Sequence, residues 1–387
     1  MDGFEILNSD KAPLKSIPSD FSGSVLLRFE GGVGDVLMGI GGVVSGITGD
    51  CTVSAGVNSW QIPLISQIDG VDNAMTLAKS RDLKVSQNFD AVLDLRLLTS
   101  KEVMSDLLPD RDYYDAIRDC SGVEFECSPA KFSFPHAPDT CDGRQVVAIH
   151  PWASNPNRRW LDHKWERLVT QLVDRNFHVV WLGTCDEFGY NDSHVTKLSD
   201  SSSDLLWQSW QLAQSHFFIG CDSGFAHVAG MLGVSGSVVF TATEAKNVIS
   251  RYSSLVGVEI FDRLGVTPSR SLKADDELSD TIKELISTDD VLKSLGLDGI
   301  VCTGSRPNNR YDAVKYRIKI DDKSSETHNI VSELSKSFSI VESEYDAKLI
   351  ITDDSVRSAN VELREVSVKP SFPPELVRRI LRELINS

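Results

Sequence analysis

The residues best placed to do chemistry in this chain lie in one stretch, Phe217 to Gly233, which reads FFIGCDSGFAHVAGMLG. Phe217, Phe218 and Ile219 form a short apolar run, Gly220 and Gly224 act as breakers, and Phe225, Val228, Ala229 and Leu232 recur at helical spacing. A buried strand that delivers Asp222, Ser223 and Gly224 to a helix N-terminus builds an anion site, because unpaired N–H groups and the positive end of the helix dipole converge there. The ligand such a site expects is a phosphate. Gly224 lets backbone approach a diphosphate, Ser223 can cap the helix and donate a hydroxyl, and His227 lies one turn along on the same face. The same residues also admit a structural reading, with Asp222 and Ser223 as an ordinary helix cap and His227 as a satisfied surface histidine.

The elements that must position such a site follow from periodicity. Residues 1–22 are polar, with Pro13 and Pro18, and read as an irregular lead-in. SVLLRF (24–29) is a strand and runs straight into EGGVGDVLMGIGGVVSGI, a glycine loop and a helix with an apolar face from Val36 to Ile47. Gly31, Gly32 and Gly34 permit the tight turn and Asp35 stands at the helix start, either as a carboxylate facing a cleft or as an N-cap. The glycines fall as GGxG, which is neither the dinucleotide fingerprint nor a P-loop. CTVSA (51–55), 74–78 and FDAVLDL (89–95) are further strands, with a helix over 60–68 and another near 113–120. SPAKFSFPHAPDTCDGR (128–144) carries three prolines and no periodicity, so it reads as an interdomain linker.

The pattern then restarts. VVAIH (146–150) is a strand, a polar loop carries Ser154, Arg158 and Arg159, and HVVWL (178–182) is a strand ending in Gly183 and Thr184. Strands alternating with helices in two halves argue doubly wound parallel sheets with a cleft between them, the polar loops lying at the carboxyl ends of strands. Beyond Gly299 the strands 314–320, 347–352 and 361–368 and the helices 327–338 and 374–385 read as a small α+β appendage without a catalytic constellation.

Composition narrows the function classes. The formal net charge is −17, and residues 300–387 hold 14 basic against 14 acidic side chains, so the deficit belongs to the first 299 residues. An acidic body disfavours non-specific grip on nucleic acid or an anionic membrane face. The longest apolar runs are too short to span a bilayer and the N-terminus lacks a basic segment followed by an apolar one, so a cytoplasmic location is expected. Seven scattered cysteines without a C-x-x-C indicate neither a disulfide framework nor a zinc site.

Four loops, GGVGD at 31–35, HPWASNPNRRW at 150–160, LGTCDE at 182–187 and GCDSGFAH at 220–227, stand in an order and at separations that resemble the ADP-heptose:lipopolysaccharide heptosyltransferase family of GT-B glycosyltransferases. The resemblance covers roughly residues 24 to 260 and implies two Rossmann-like domains, over 23–135 and 136–299, with the appendage over 300–387 outside it. The acceptor would be held mainly by the first domain and a nucleotide-diphosphate sugar mainly by the second. Asp35 then matches the catalytic base, while Ser154, Arg158, Asp222, Ser223, Gly224 and His227 match the donor pocket. Gly32, Gly34, Arg159, Gly183 and Thr184 complete the candidate donor site. Met38-Gly39-Ile40-Gly41 and Phe240-Thr241-Ala242-Thr243 depart from the family pattern, which bears on heptose and lipopolysaccharide more than on glycosyl transfer.

What the resemblance implies is a metal-independent, inverting glycosyltransferase with no cofactor, the nucleotide sugar being a co-substrate and the acceptor a hydroxyl-bearing saccharide or, alternatively, nucleic acid. Physically, transfer needs a base for the acceptor hydroxyl and charge stabilisation for the departing diphosphate. Asp35 can do the first, and Arg158 or Arg159 with the helix N-terminus at Ser223 can do the second. Two alternatives remain: transfer to a modified nucleic-acid base, and a scaffold protein that kept the fold without turnover.

Overall fold

The computed structural model describes residues 6–8, 13–14, 21–47, 50–96, 113–123, 131–132, 134, 144–183, 192–198, 205–266, 268, 277–298, 313–320, 348–350, 361–368 and 379. The first half is a sheet of strands β1 (Ile6–Asn8), β2 (Pro13–Leu14), β3 (Gly23–Arg28), β4 (Cys51–Val57), β5 (Asn73–Thr76) and β6 (Ala91–Asp94), in the order β2-β1-β6-β3-β4-β5. The strands β3 to β6 are parallel, with Arg28 opposite Asp94 in the β3–β6 register. The expected irregular lead-in is corrected here: Ile6–Asn8 pairs antiparallel with β6 and with Pro13–Leu14, extending the sheet on one side. Only three residues of β1 carry the alternation, which is why no strand signal stood out.

The second sheet is parallel throughout, with β7 (Val146–His150), β8 (His178–Trp181), β9 (Val195–Lys197), β10 (Phe217–Cys221), β11 (Gly236–Val239) and β12 (Leu255–Val258) in the order β12-β11-β10-β7-β8-β9. This order reverses between β7 and β10, as the first sheet's does between β3 and β6. Open α/β sheets hold ligands outside the strand ends at such points. β9 and β12 are only three and four residues long, too short for periodicity alone to distinguish them. In 300–387 the described strands β13 (Ala313–Ile320), β14 (Lys348–Ile350) and β15 (Val361–Val368) form a third sheet in the order β14-β13-β15. The helices expected at 327–338 and 374–385 lie outside the described residues, apart from Arg379.

Seven helices matter to the site: α1 (Val33–Gly46), α2 (Tyr113–Ser121), α3 (Asp162–Asp174), α4 (Leu205–Ala213), α5 (Gly224–Leu232), α6 (Glu277–Leu285) and α7 (Thr288–Ser294). α1 is apolar almost all round, and Val36, Leu37, Met38, Ile40, Val43 and Val44 are buried. A helix of that kind has to be covered on both sides. One side lies on its own sheet, where Gly39 admits the Phe29 ring, and the other packs on α5 of the second half. Among the described residues no helix is long and apolar enough to cross a membrane.

Candidate active site between the two halves

β7 and β10 run side by side and end at His150 and Cys221, so the loops 151–160 and 222–224 leave the sheet together. In the first loop Asn155 caps a 3₁₀ turn over Pro156–Arg158 by accepting the Asn157 N–H at 3.0 Å. The loop is pinned from behind: the buried Trp160 donates through Nε1 to the Lys283 carbonyl at 3.0 Å, and Lys164 donates to the Glu284 carbonyl at 2.6 Å. Helix α6 therefore fixes where Arg158 can reach. Arg158 donates to the Ser154 hydroxyl at 3.3 Å and stands 3.6 Å from the Asp222 carboxylate. Asp222 is buried and accepts the Thr243 hydroxyl at 2.6 Å. The result is a chain Ser154–Arg158–Asp222–Thr243 across the switch point, with the guanidinium at its half-exposed end. Arg159 is occupied otherwise, donating to the Ala153 carbonyl at 2.6 Å and lying 4.8 Å over the Trp152 ring.

Ser223 is the N-cap residue of α5, yet its hydroxyl makes no cap hydrogen bond; it pairs with His150 Nδ1 at 2.9 Å. His150 is enclosed by Ser223, by the Phe225 ring at 4.6 Å and by Gly183, whose missing Cβ would stand 3.3 Å from the imidazole. Burial pushes the His150 pKa down to about 3, so the imidazole is neutral and serves to orient Ser223. Gly183 has φ +99°, and its N–H donates to Gln208 on α4 at 2.6 Å. A left-handed residue against a ring is a position for glycine. Thr184, with Cys185, Asp186 and Glu187, lies outside the described residues.

The first turns of α1 and α5 pack closely against each other. A Cβ at Gly34 would be 2.5 Å from His227 Cδ2, and one at Gly224 would be 2.7 Å from Val33 Cβ and 3.3 Å from the Gly34 nitrogen. Both glycines are thus required by the packing of one half on the other. His227 is buried at this seam, its Nδ1 3.2 Å from the Tyr252 hydroxyl, and burial pushes its pKa down to about 4 against the upward pull of Asp222. Its expected surface position under the structural reading is corrected. Asp35, beside the seam, accepts the Gly32 N–H at 3.1 Å and so closes the start of α1. Gly32 itself is exposed. Gly220, read as a breaker, is instead inside β10, tucked against the Phe218 ring.

The structure brings Ser154, Arg158, Asp222 and Ser223 together at one switch point, and sets Gly34, Asp35, Gly224 and His227 at the seam beside it. Sequence reasoning missed His150, Thr243, Gln208, Tyr114 and Tyr252. His150 had a signal, being a polar residue closing an apolar strand; the tyrosines had none. Among the described residues no group of three or more His, Cys, Asp and Glu side chains is placed to hold a metal ion.

Residues 70–256 match the family described as Glycosyltransferase family 9 (heptosyltransferase). That span holds three of the four loops, GGVGD lying before it. No curated protein sequence matches. Among solved structures, ADP-heptose lipopolysaccharide heptosyltransferase II of E. coli is 15% identical with a TM-score of 0.53, covering 70% of this chain and 97% of that one. The iron-containing dodecameric glycosyltransferase TibC of enterotoxigenic E. coli is 15% identical with a TM-score of 0.55, over 74% of this chain and 80% of that one. A family 9 glycosyltransferase of Veillonella parvula is 12% identical with a TM-score of 0.54, over 72% and 98%. These likenesses give the fold, two Rossmann-like halves in the GT-B arrangement. On that shared fold, residues 70–256 of the chain match the glycosyltransferase family 9 model, and the chain resembles heptosyltransferases of that family.

Proposed function

We propose that the protein transfers a sugar from a nucleotide-diphosphate donor to an acceptor hydroxyl by a single inverting displacement without a metal ion. The observation that carries this reading is the Ser154–Arg158–Asp222–Thr243 chain at the β7–β10 switch point, beside the N-terminus of α5. A guanidinium aimed by a buried carboxylate, next to a positive helix end, suits a diphosphate whose charge grows as it departs. In the reaction the acceptor oxygen bonds to the anomeric carbon as the bond to the diphosphate breaks, and the hydroxyl proton passes to Asp35. A described relative, TibC, was solved with ADP-D-β-D-heptose, which supports an ADP-sugar as the first donor to try. TibC is also described as containing iron, so metal independence in this chain rests on Arg158 and the helix end and is tested directly.

The test is turnover of ADP-heptose and other nucleotide sugars by the wild type, with and without EDTA, and by Asp35→Asn. Asparagine keeps an oxygen that can accept the Gly32 N–H, so the substitution removes basicity and leaves the cap. Turnover is expected to fall by about 10²-fold or more with donor affinity nearly unchanged. Near-normal turnover would reduce Asp35 to a helix cap. Activity lost to EDTA and restored by a divalent metal would overturn the metal-free reading.

A further inference from the structure

A buried hydroxyl chain links the two halves behind the site. Tyr114 Oη on α2 and Tyr252 Oη are 2.7 Å apart, and Tyr252 Oη is 3.2 Å from His227 Nδ1. The rings are edge-on at 6.3 Å and 5.8 Å, and all three side chains are buried. We propose that Tyr114 and Tyr252 are positioning residues that hold His227 in the Nε2–H tautomer, presenting that N–H at the seam of α1 and α5 to a phosphoryl oxygen of the donor substrate. The second half of this statement rests on the function proposed above; the tautomer does not.

Tyr252 has one proton and two neighbours. An imidazole nitrogen is a much stronger base than a phenol oxygen, and a phenol is the stronger acid, so Tyr252 donates to Nδ1 and accepts from Tyr114. The ring proton is then on Nε2. Burial pushes the Tyr252 pKa up and the His227 pKa down to about 4, so both groups are neutral at neutral pH and the chain keeps its direction. The hydrogen bond of His227 runs through Nδ1, while its Nε2 edge lies along Gly34, whose missing Cβ would be 3.0 Å away. The starts of α1 and α5 converge at that edge. Donors of one kind from a ring and two helix ends call for an anionic oxygen.

Nitrogen-15 spectra of histidine-labelled protein read the tautomer directly, with the His227 resonances assigned by their loss in His227→Gln. The wild type is expected to show protonated Nε2 and bare Nδ1, and Tyr252→Phe a mixture. Tyr114→Phe, which leaves the Tyr252 hydroxyl in place as the donor to Nδ1, is the second variant and is expected to keep protonated Nε2. Inorganic pyrophosphate and ADP should move the Nε2 signal of the wild type. With substrate, Tyr252→Phe should lower kcat about tenfold and leave the acceptor KM unchanged, a split that loss of general stability would not give. Protonated Nδ1 in the wild type or in Tyr114→Phe, or an unaltered tautomer in a folded Tyr252→Phe, overturns the relay. A correct tautomer whose Nε2 signal ignores pyrophosphate and ADP upholds the relay and overturns its role toward the donor.

Discussion

Arg158→Ala separates a donor-binding role of Arg158 from a purely structural one most clearly. Arg158 and Asp222 are 3.6 Å apart, with side-chain exposures of 30% and 4%. At an effective dielectric of about 20, unit charges at that distance attract by about 4–5 kcal/mol. That is an upper bound, because the half-open guanidinium regains water when the pair is broken, so the expected loss of stability is about 1–3 kcal/mol. It falls on Asp222, left buried with the Thr243 hydroxyl as its remaining hydrogen-bond partner. If Arg158 also holds the diphosphate, one charge-assisted hydrogen bond is lost and the dissociation constant for ADP should rise about 10- to 100-fold. Asp222→Asn retains an acceptor for Thr243 and removes the charge that aims Arg158, so it should weaken ADP less. The double variant should show a coupling of about 1 kcal/mol or more, since the two residues touch. Urea unfolding gives the stabilities and calorimetric titration the affinities. A destabilised Arg158→Ala protein that binds ADP as well as the wild type would make the arginine a structural partner of Asp222 and remove the observation on which the donor site rests.

Two further outcomes follow from the seam. His150 and His227 have folded pKa values near 3 and near 4, below the ordinary 6.5, so between those limits the unfolded chain binds more protons and stability falls as the pH is lowered. From pH 7 to pH 5 the two together should cost up to about 4 kcal/mol, and His227→Gln should show about half that dependence in urea titrations; an unchanged slope in the variant would mean that His227 is open to protonation in the folded state. Gly34→Ala would put a Cβ 2.5 Å from His227 Cδ2, so α1 or α5 must shift, at about 1–3 kcal/mol. Thermal unfolding within about 0.5 kcal/mol of the wild type would show that the two halves do not dock this closely in solution.

Much of the architecture was legible because it depends on strands buried on both faces. Val146–His150 and Phe217–Cys221 stand out as apolar runs, and the helices over 205–213 and 224–232 carry their period openly. The misreadings fall where a few polar contacts decide. Thr76, read inside a strand, caps the following helix by accepting the Lys79 N–H at 3.2 Å, so the strand stops two residues early. Leu255–Val258 is a strand because β11 offers it an edge, a fact of topology that four residues cannot announce. The site divides in the same way. Local motifs carried Asp35, Ser154, Arg158, Asp222 and Ser223, whereas Thr243, Tyr114 and Tyr252 enter through contacts 21, 138 and 25 residues distant in sequence.

The glycines show why a motif can be correct and its usual explanation incomplete. In the sequence Gly224 suits the approach of backbone to a diphosphate and Gly34 suits a tight turn. In the structure each is also the only residue type that lets the opposite half come close, since any Cβ at 34 meets His227 and any Cβ at 224 meets Val33. A valine at 224 would therefore part α1 from α5 whether or not a phosphate lies there, so a loss of nucleotide binding in that variant would not by itself locate the phosphate. The discriminating residues are the ones whose atoms face the switch point rather than the seam, and Arg158 and Ser223 are those. On the proposed function, docking of the halves and binding of the donor would draw on the same helix N-termini, and the packing that Gly34 and Gly224 permit would hold Asp35, as base, in register with Arg158, as the leaving-group partner.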